Sequence, residues 1–465
     1  MAGIQIMGLS SGMDYNAIIE QMIALERLPI TRMTERKGVY RAQQDAWRDI
    51  NTRLSALDNR LTDLRLSSTF HGRTASSSNA QVVAATAGTQ ALTGTYAVEV
   101  AQLAQAHRVA SDGEVGELTY NGDAIITIIV GDKEAAVTIA EGSDLSQVVK
   151  TINGADAGVR ASIIAGRLVL ESTETGEGSK IELRGTADFL NQLRLGQGVE
   201  DGDGSTTITA DKMNTIQDAQ DAILTINGIS LTSAANTIKD AVEGVTFTLN
   251  GVTEGGPVQI TVSQDLDSAV SKIKAFVDQY NSVMNFIAEK TKVTMTDGGD
   301  ISSTGTLQGD GTANRLRTAL RYEVTRAIGT ESGFNQLAVL GITTNKEGVL
   351  QIDETKLREA LSENPEEVAK FFNEKATNLK DFIKGYVQYG TGILAEKQES
   401  IGRLMKDIDR QIERLEERAA RKEESLVRQF TALEQVLADF QSQSAWLTQQ
   451  MTLLSSWAGG KNRSN

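Results

Sequence analysis

Few residues in this chain have the type and spacing that chemistry needs. The stretch DGDGSTTITADK (201–212) sets Asp201, Asp203, Ser205 and Thr207 at alternate positions, with Ile208 at a central apolar one. That is the ligand pattern of a calcium-binding helix–loop–helix loop. Thr206 stands where such a loop requires glycine for its turn, and Lys212 where it requires a bidentate glutamate, so calcium is not expected. Carboxylates cluster, as at Glu171, Glu174 and Glu177, but with 61 acids in the chain such groupings arise by chance and do not single out a glycosidase pair. GDGTAN (309–314) and GKNRSN (460–465) lack the pattern of a phosphate-binding loop. His71 and His107 are the only histidines, and a Ser-His-acid set would have to use one of them; neither has partners at a meaningful spacing, and both are expected to be surface residues. There is no cysteine, which removes disulfides, zinc thiolates and thiol nucleophiles and suits a chain exported unfolded. No catalytic, metal or cofactor-binding set is assigned.

The 465 residues suffice for two to four domains, and a hydrophobic content of 40% is that of a folded protein. Aromatics at 5% and three prolines point to an elongated helix-and-hairpin architecture. No apolar run is long enough to span a bilayer, and the N-terminus lacks the form of a cleaved secretory signal. The net charge of −15 is concentrated: residues 111–265 hold 9 Lys/Arg against 24 Asp/Glu, and the remainder balances at 37 of each. An acidic middle repels phosphate backbones, so nucleic acid is not an expected partner.

The elements read as helix, then β, then helix. Met33, Tyr40, Trp47, Ile50, Leu54, Leu57, Leu61 and Leu64 keep a heptad register, a coiled-coil seam. Upstream, Ile18, Met22 and Leu25 suggest a shorter amphipathic helix, with a break at Pro29, which lacks an N–H and clashes with the preceding turn. Residues 1–12, with Gly3, Gly8 and Gly12, are expected to be flexible, and both chain ends to be weakly capped. At the other end Ile401, Leu404, Ile408, Ile412, Leu415, Ala419, Leu426, Phe430, Leu433 and Leu437 continue to Leu454, with stutters expected at 404–408–412 and 422–426–430. Residues 401–457 could extend about 85 Å as one helix.

Between about 75 and 265 the signals are those of hairpins. Asn-Gly pairs at 121–122, 153–154, 227–228 and 250–251 can supply the two φ > 0 positions of a type I′ turn, most clearly in AILTINGISLT. Strands are expected at 95–104, 124–130, 166–172 and 258–264, with an acidic linker at 196–204. Helix then returns: Leu266, Val270, Ile273, Val277, Tyr280, Met284 and Ile287 share one face, a helix follows 309–311, and Asn364-Pro365-Glu366-Glu367 marks a helix start.

Five segments resemble the flagellar hook-associated protein 2, or filament cap, family: 8–30 (GLSSGMDYNAIIEQMIALERLPI), 152–183, which is similar to the flagellin hook-IN motif, 226–250, 271–287 and 340–372. The resemblance implies an α+β multidomain fold in which helical termini and a helix-rich stalk enclose two inserted β-rich domains. The borders expected are 1–42 with 405–465 for a coiled-coil leg, and 43–74 with 266–404 for the stalk. Residues 75–110 with 198–265 would form the inner β domain and 111–197 the outer. It implies a non-enzymatic, cofactor-free protein at the distal tip of the flagellum, exported through the flagellar type III apparatus without a cleaved signal. Partners would be copies of itself in a ring, most simply a pentamer, flagellin, the hook-associated junction proteins and an export chaperone, with neither nucleic acid nor membrane insertion. Leg or coiled-coil contacts, within the molecule or between molecules, would be carried by Ile18, Met22, Leu25, Trp47, Ile50, Leu54, Leu57, Leu61 and Leu64 and by Leu404, Ile408, Ile412, Leu415, Leu426, Phe430, Leu433 and Leu437. Another axial flagellar protein, a cap with an added adhesin role, and an enzyme grafted on the β region stay open as alternatives.

Overall fold

In the computed structural model the described residues are 14–202, 204–295, 301–329 and 334–459. The expected flexibility of 1–12 lies outside them. The fold is α+β, divided into two compact units. The first combines residues up to 65 with 272–357 and 369 onward; the second combines 66–271 with 358–368.

The first unit is helical. Helix α1 runs unbroken over Tyr15–Asp63, capped by the Asp14 carboxylate on the Ala17 N–H at 3.1 Å. This corrects two expectations, since the start is capped and Pro29 does not end the helix. Pro29 is exposed, so the carbonyl it cannot serve faces water, and packing on both sides of it carries the helix through. Trp47, Ile50, Leu54, Leu57 and Leu61 are all fully buried, in agreement with the seam read from their spacing.

The second unit starts with α2 (Ser67–Phe70) and, among the described residues, holds seventeen strands in two β modules. The chain lays down β1 (Arg73–Ser77), β2 (Val83–Ala87) and β3 (Gly94–Gln102), then leaves for the outer module. There it forms β4 (Arg108–Ala110), β5 (Ala124–Val130), β6 (Lys133–Ile139), α3 (Leu145–Gly154), β7 (Val159–Ile164), β8 (Arg167–Ser172) and β9 (Ile181–Thr186). After α4 (Ala187–Leu193) come β10 (Val199–Glu200), β11 (Ser205–Ile208) and β12 (Thr215–Gln217). It returns with β13 (Ala222–Ile226), β14 (Ile229–Ser233), β15 (Thr237–Val242), β16 (Val245–Leu249) and β17 (Val258–Gln264).

The inner module packs a sheet of order β1-β17-β3-β13-β14 with one of order β15-β16-β2, and the outer packs β10-β11-β9-β5-β6 with β12-β4-β8-β7. Period-2 alternation fills each core: Val245, Phe247 and Leu249 with Val258, Ile260 and Val262 point into the inner one, Ala124, Ile126 and Ile128 into the outer. Val109, Ile208 and Met213 belong to the outer core, so β4 and residues 199–217 pack there rather than with the inner module. The expected linker at 196–204 thus contributes to a sheet: Gly196 bridges to Met213 and β10 pairs with β11.

Of the four Asn-Gly pairs, Asn227-Gly228 turns the β13–β14 hairpin with φ of 51° and 81°, as expected of type I′. Asn153-Gly154 instead ends α3, where the Asn153 amide exchanges two hydrogen bonds with the backbone of Ala161. Asn250-Gly251 is a bend whose two N–H groups both donate to the Val82 carbonyl.

Helix returns in α5 (Leu266–Thr291), α6 (Gly311–Thr325), α7 (Glu354–Glu363), α8 (Pro365–Val387) and α9 (Ile393–Gly459). Asp310 caps α6 through the N–H groups of Thr312 and Ala313, and α8 begins at Pro365 as its sequence predicts.

Candidate functional site

The feature that stands apart is the pairing of α1 with α9. Tyr15 stacks at 4.9 Å on Phe430, Glu26 meets Arg418 at 3.9 Å, Lys37 pairs with Asp409, and the Lys397 ammonium lies 5.8 Å from the Trp47 ring. In each pair the two residue numbers add to about 445, the signature of an antiparallel pair held in one register. It runs past Pro29 without a slip.

The α1 side of this seam consists of residues 19, 23, 26, 30, 33, 37, 40, 44 and 47, which are buried or half-buried at alternating spacings of four and three. It is the Met33, Tyr40, Trp47 heptad carried back in steps of seven, which lands on Glu26 and Ile19. The expected trio is thus on the wrong face. Ile18 and Met22 are exposed and Leu25 is 67% exposed, while Tyr15, Ile19 and Ile23 take the buried positions beside them. Ile19, Ile23 and Leu426 form a small cluster, with Val427 and Phe430 packed on its edge.

On α9, Ile408 and Leu426 are buried and Ile412, Leu415, Phe430 and Leu437 half-buried. Leu404 is exposed because Met405 occupies the inward position, and Leu433 is exposed as well. With Met405 in place the steps from Ile401 to Ala419 are regular, and the stutter expected at 404–408–412 disappears. Lys422 is exposed, so the second stutter moves to 426–430–434, of which 426 and 430 lie opposite 19 and 15.

Toward the body of the unit, α1 is tied by polar groups that spacing does not announce. The Lys380 ammonium donates to the Asp58 carboxylate and to the Thr62 hydroxyl, both at 2.7 Å, and Gln279 donates to the Arg53 carbonyl at 2.9 Å. Lys375 is wholly buried and donates to the carbonyls of Arg326 (2.6 Å) and Glu323 (3.3 Å) at the C-terminal end of α6. Burial, reinforced by the Arg326 charge, pushes its pKa down to about 8, against the opposing pull of Glu323 and Glu374.

Beyond Phe430, α9 carries an apolar strip in the open. Phe440 is 64% exposed, Trp446 61%, Met451 69% and Leu454 69%, with Leu433, Val436 and Leu447 beside them. A run of that length over nearly six turns is far more than scattered surface leucines.

Among the described residues, chemistry finds no comparable arrangement. His71 Nε2 meets Glu366 at 2.9 Å and its Nδ1 lies 3.2 Å from the Ser67 hydroxyl, superficially a Ser-His-Glu set. Nδ1 is closer, at 3.0 Å, to the Ser67 carbonyl one turn back, and these contacts are exposed, so the arrangement is a local turn contact rather than a sheltered nucleophile and base. Asp201 accepts the hydroxyls of Ser205 (3.2 Å) and Thr207 (2.7 Å) across the β10–β11 turn, a local hydrogen-bonded knot rather than a vacant ligand set. Asp203 lies outside the described residues. His107, expected at the surface, is buried, with both ring nitrogens engaged. Among the described residues no helix is long and apolar enough to cross a membrane.

Comparison with known proteins gives consistent matches. Residues 219–442 match the flagellar hook-associated protein 2 C-terminus, 11–107 its N-terminus, and 126–174 the flagellin hook IN motif. The A-type flagellar hook-associated protein 2 of Pseudomonas aeruginosa is 30% identical over 97% of this chain and 97% of its own length. The flagellar hook-associated protein 2 of Escherichia coli K12 is 30% identical over 97% of this chain and 98% of its own. Among solved structures, the D1-D2-D3 domains of the flagellar cap protein FliD from Escherichia coli align with a TM-score of 0.61 at 27% identity, covering 77% of this chain and 99% of that one.

Proposed function

The chain belongs to the flagellar hook-associated protein 2 family, and we propose that it works as a filament cap at the distal end of the flagellum, promoting flagellin polymerisation and retaining exported subunits. Its role is structural and rests on contacts, not on covalent chemistry. Copies of the chain meet in a ring, a pentamer in its simplest form, with the β modules as the plate and the α1–α9 pair as the leg. The chain reaches the tip through the flagellar type III apparatus, served by an export chaperone, and seats first on the hook-associated junction proteins.

The apolar strip on α9 beyond Phe430 carries this reading. A leg must engage open sites at the filament end and let go as each flagellin is added. An exposed strip on a thin helix pair offers contact area whose gain is offset by the cost of ordering long side chains and of holding the pair in place. The β modules, with their acidic surface, add solubility at high local concentration.

The test is a variant carrying Trp446→Glu and Met451→Glu. Both side chains are already in solvent, so folding and export should be unchanged. Cells bearing it should release flagellin monomers to the medium and grow short filaments. Full-length filaments with no monomer release would reject the leg assignment.

A further inference from the structure

The chain crosses between the inner and outer β modules twice, outward near 105 and back near 220. The two crossings are joined by reciprocal backbone bonds between Gln105 and Gln220 (2.9 and 3.2 Å). A third link is the outer module's loop from Ser172 to Ile181. Its Gly176 N–H donates to the Gln105 carbonyl (3.1 Å), its Glu177 N–H to the Asp221 carboxylate (2.7 Å), and its Thr175 hydroxyl to the Ala234 carbonyl (2.6 Å). Gly176 has φ +103°, and a Cβ there would lie 2.6 Å from that of Ala234, so the loop is seated directly on the inner module.

Both ends of this loop converge on one residue, the first on its backbone and the second on its ring. At the first end the Ser172 N–H donates to the His107 carbonyl and the His107 N–H donates to the Ser172 hydroxyl oxygen, each at 2.9 Å. At the second, the Ile181 N–H donates to His107 Nδ1 at 2.8 Å. A backbone N–H can only donate, so Nδ1 holds a lone pair and the ring proton is on Nε2, 3.1 Å from the Thr215 hydroxyl on β12. The neutral ring is satisfied on both sides; an imidazolium would set N–H against N–H in a site that is 2% exposed.

We propose that His107 is an acid-sensitive latch: protonation at Nδ1 expels the Ile181 amide, frees that end of the 172–181 loop, and loosens the joint between the two β modules. Burial holds the imidazole below its ordinary 6.5, with Lys180 acting the same way and Asp218, on the return crossing, acting against them. The other charges around the joint are already engaged: Arg108 with Glu171 at 2.7 Å across β4 and β8, Lys180 with Glu177 at 3.4 Å, and Asp221 with the Glu177 N–H. Below 6.5 the opened chain binds a proton that the closed joint does not. The closed state is therefore fully favoured above that value and progressively less so as the pH falls through it. This inference stands apart from the capping role, and either can fail alone.

The experiment uses the full-length chain and its His107→Asn variant, whose amide oxygen can accept the Ile181 N–H but cannot titrate. Amide hydrogen exchange across 172–181 is followed from pH 7.5 to 5 and corrected for the intrinsic rate. Spin labels at Lys150→Cys and Lys239→Cys, in a protein with no cysteine of its own, report the distance between modules. Wild type should lose at least tenfold protection in the loop and show a broadened distance distribution at pH 5, with the variant flat in both. Unchanged wild-type protection, or the same loosening in the variant, would overturn the latch. Should the variant not fold, NMR titration of the wild-type ring decides. A midpoint below 6.5 with the proton on Nε2 supports the latch; a midpoint above 6.5, or a proton on Nδ1, overturns it.

Discussion

The α1–α9 pair has one register but two environments. At the body end, where α1 runs on past the start of α9, Trp47, Ile50, Leu54, Leu57 and Leu61 are fully buried, with α1 further tied by Lys380 and Gln279. At the tip end, Ile19, Ile23 and Leu426 form a cluster of three, edged by Phe430 and Tyr15. The same heptad thus yields a core at one end and a marginal two-helix contact at the other. An isolated helix pair gains little beyond its narrow seam, and helix stability in proteins comes mainly from tertiary packing. The body end should therefore open only with the whole unit, and the tip end locally.

The contrast can be broken in graded ways. Trp47→Ala should cost about 3–5 kcal/mol of global stability, because the ring is replaced by a cavity in a packed core. Chemical denaturation of the full chain would show this as a lowered midpoint in the helical unit. Leu426→Ala should cost about 2–3 kcal/mol, but as local opening: hydrogen exchange should accelerate in 15–30 and 415–430 while the denaturation midpoint of the body stays put. If both variants lowered the same midpoint, the two ends would be one cooperative unit and the contrast would be wrong.

Lys375 sharpens the comparison through pH. Its folded pKa is about 8, below the ordinary 10.5, so between those values the unfolded chain holds a proton that the native state has released. Stability should therefore rise from pH 8 toward 10, by on the order of 1–2 kcal/mol, and only in the body. Denaturation at the two pH values should show the gain in wild type and lose it in Lys375→Met. The smallest effect belongs to Lys37→Ala. It removes a partly exposed ion pair with Asp409 and should change tip opening by about 0.5 kcal/mol or less, fading further in high salt.

Much of this architecture is legible in spacing. The Trp47–Leu61 seam, the Asn227-Gly228 hairpin, the strands at 124–130 and 258–264, and the helix start at Pro365 follow from local rules. The errors have local causes too. Ile18, Met22 and Leu25 keep a helical spacing of their own, but the heptad extended from Met33 selects Ile19, Ile23 and Glu26. Leu404 outranks Met405 in hydrophobicity, yet the seam takes the methionine. Pro29 breaks a helix only where nothing else holds it, and here a second helix does. Gly196–Gly204 has the composition of a linker, but Gly196, Val199 and Glu200 are paired into a sheet. His107 and Lys375 had no signal at all, since their partners are 65 to 108 and 49 to 52 residues away in the chain.

The central claim is that the helix pair ends in an apolar strip made for the filament end. The most direct measurement is site-specific photocrosslinking on intact flagella, with a benzophenone side chain placed at Trp446 and, in a second strain, at Arg414 on the paired stretch of the same helix. The account predicts a flagellin adduct from position 446, confined to filament tips, and little from 414. No adduct from 446, or equal adducts from both, would contradict it.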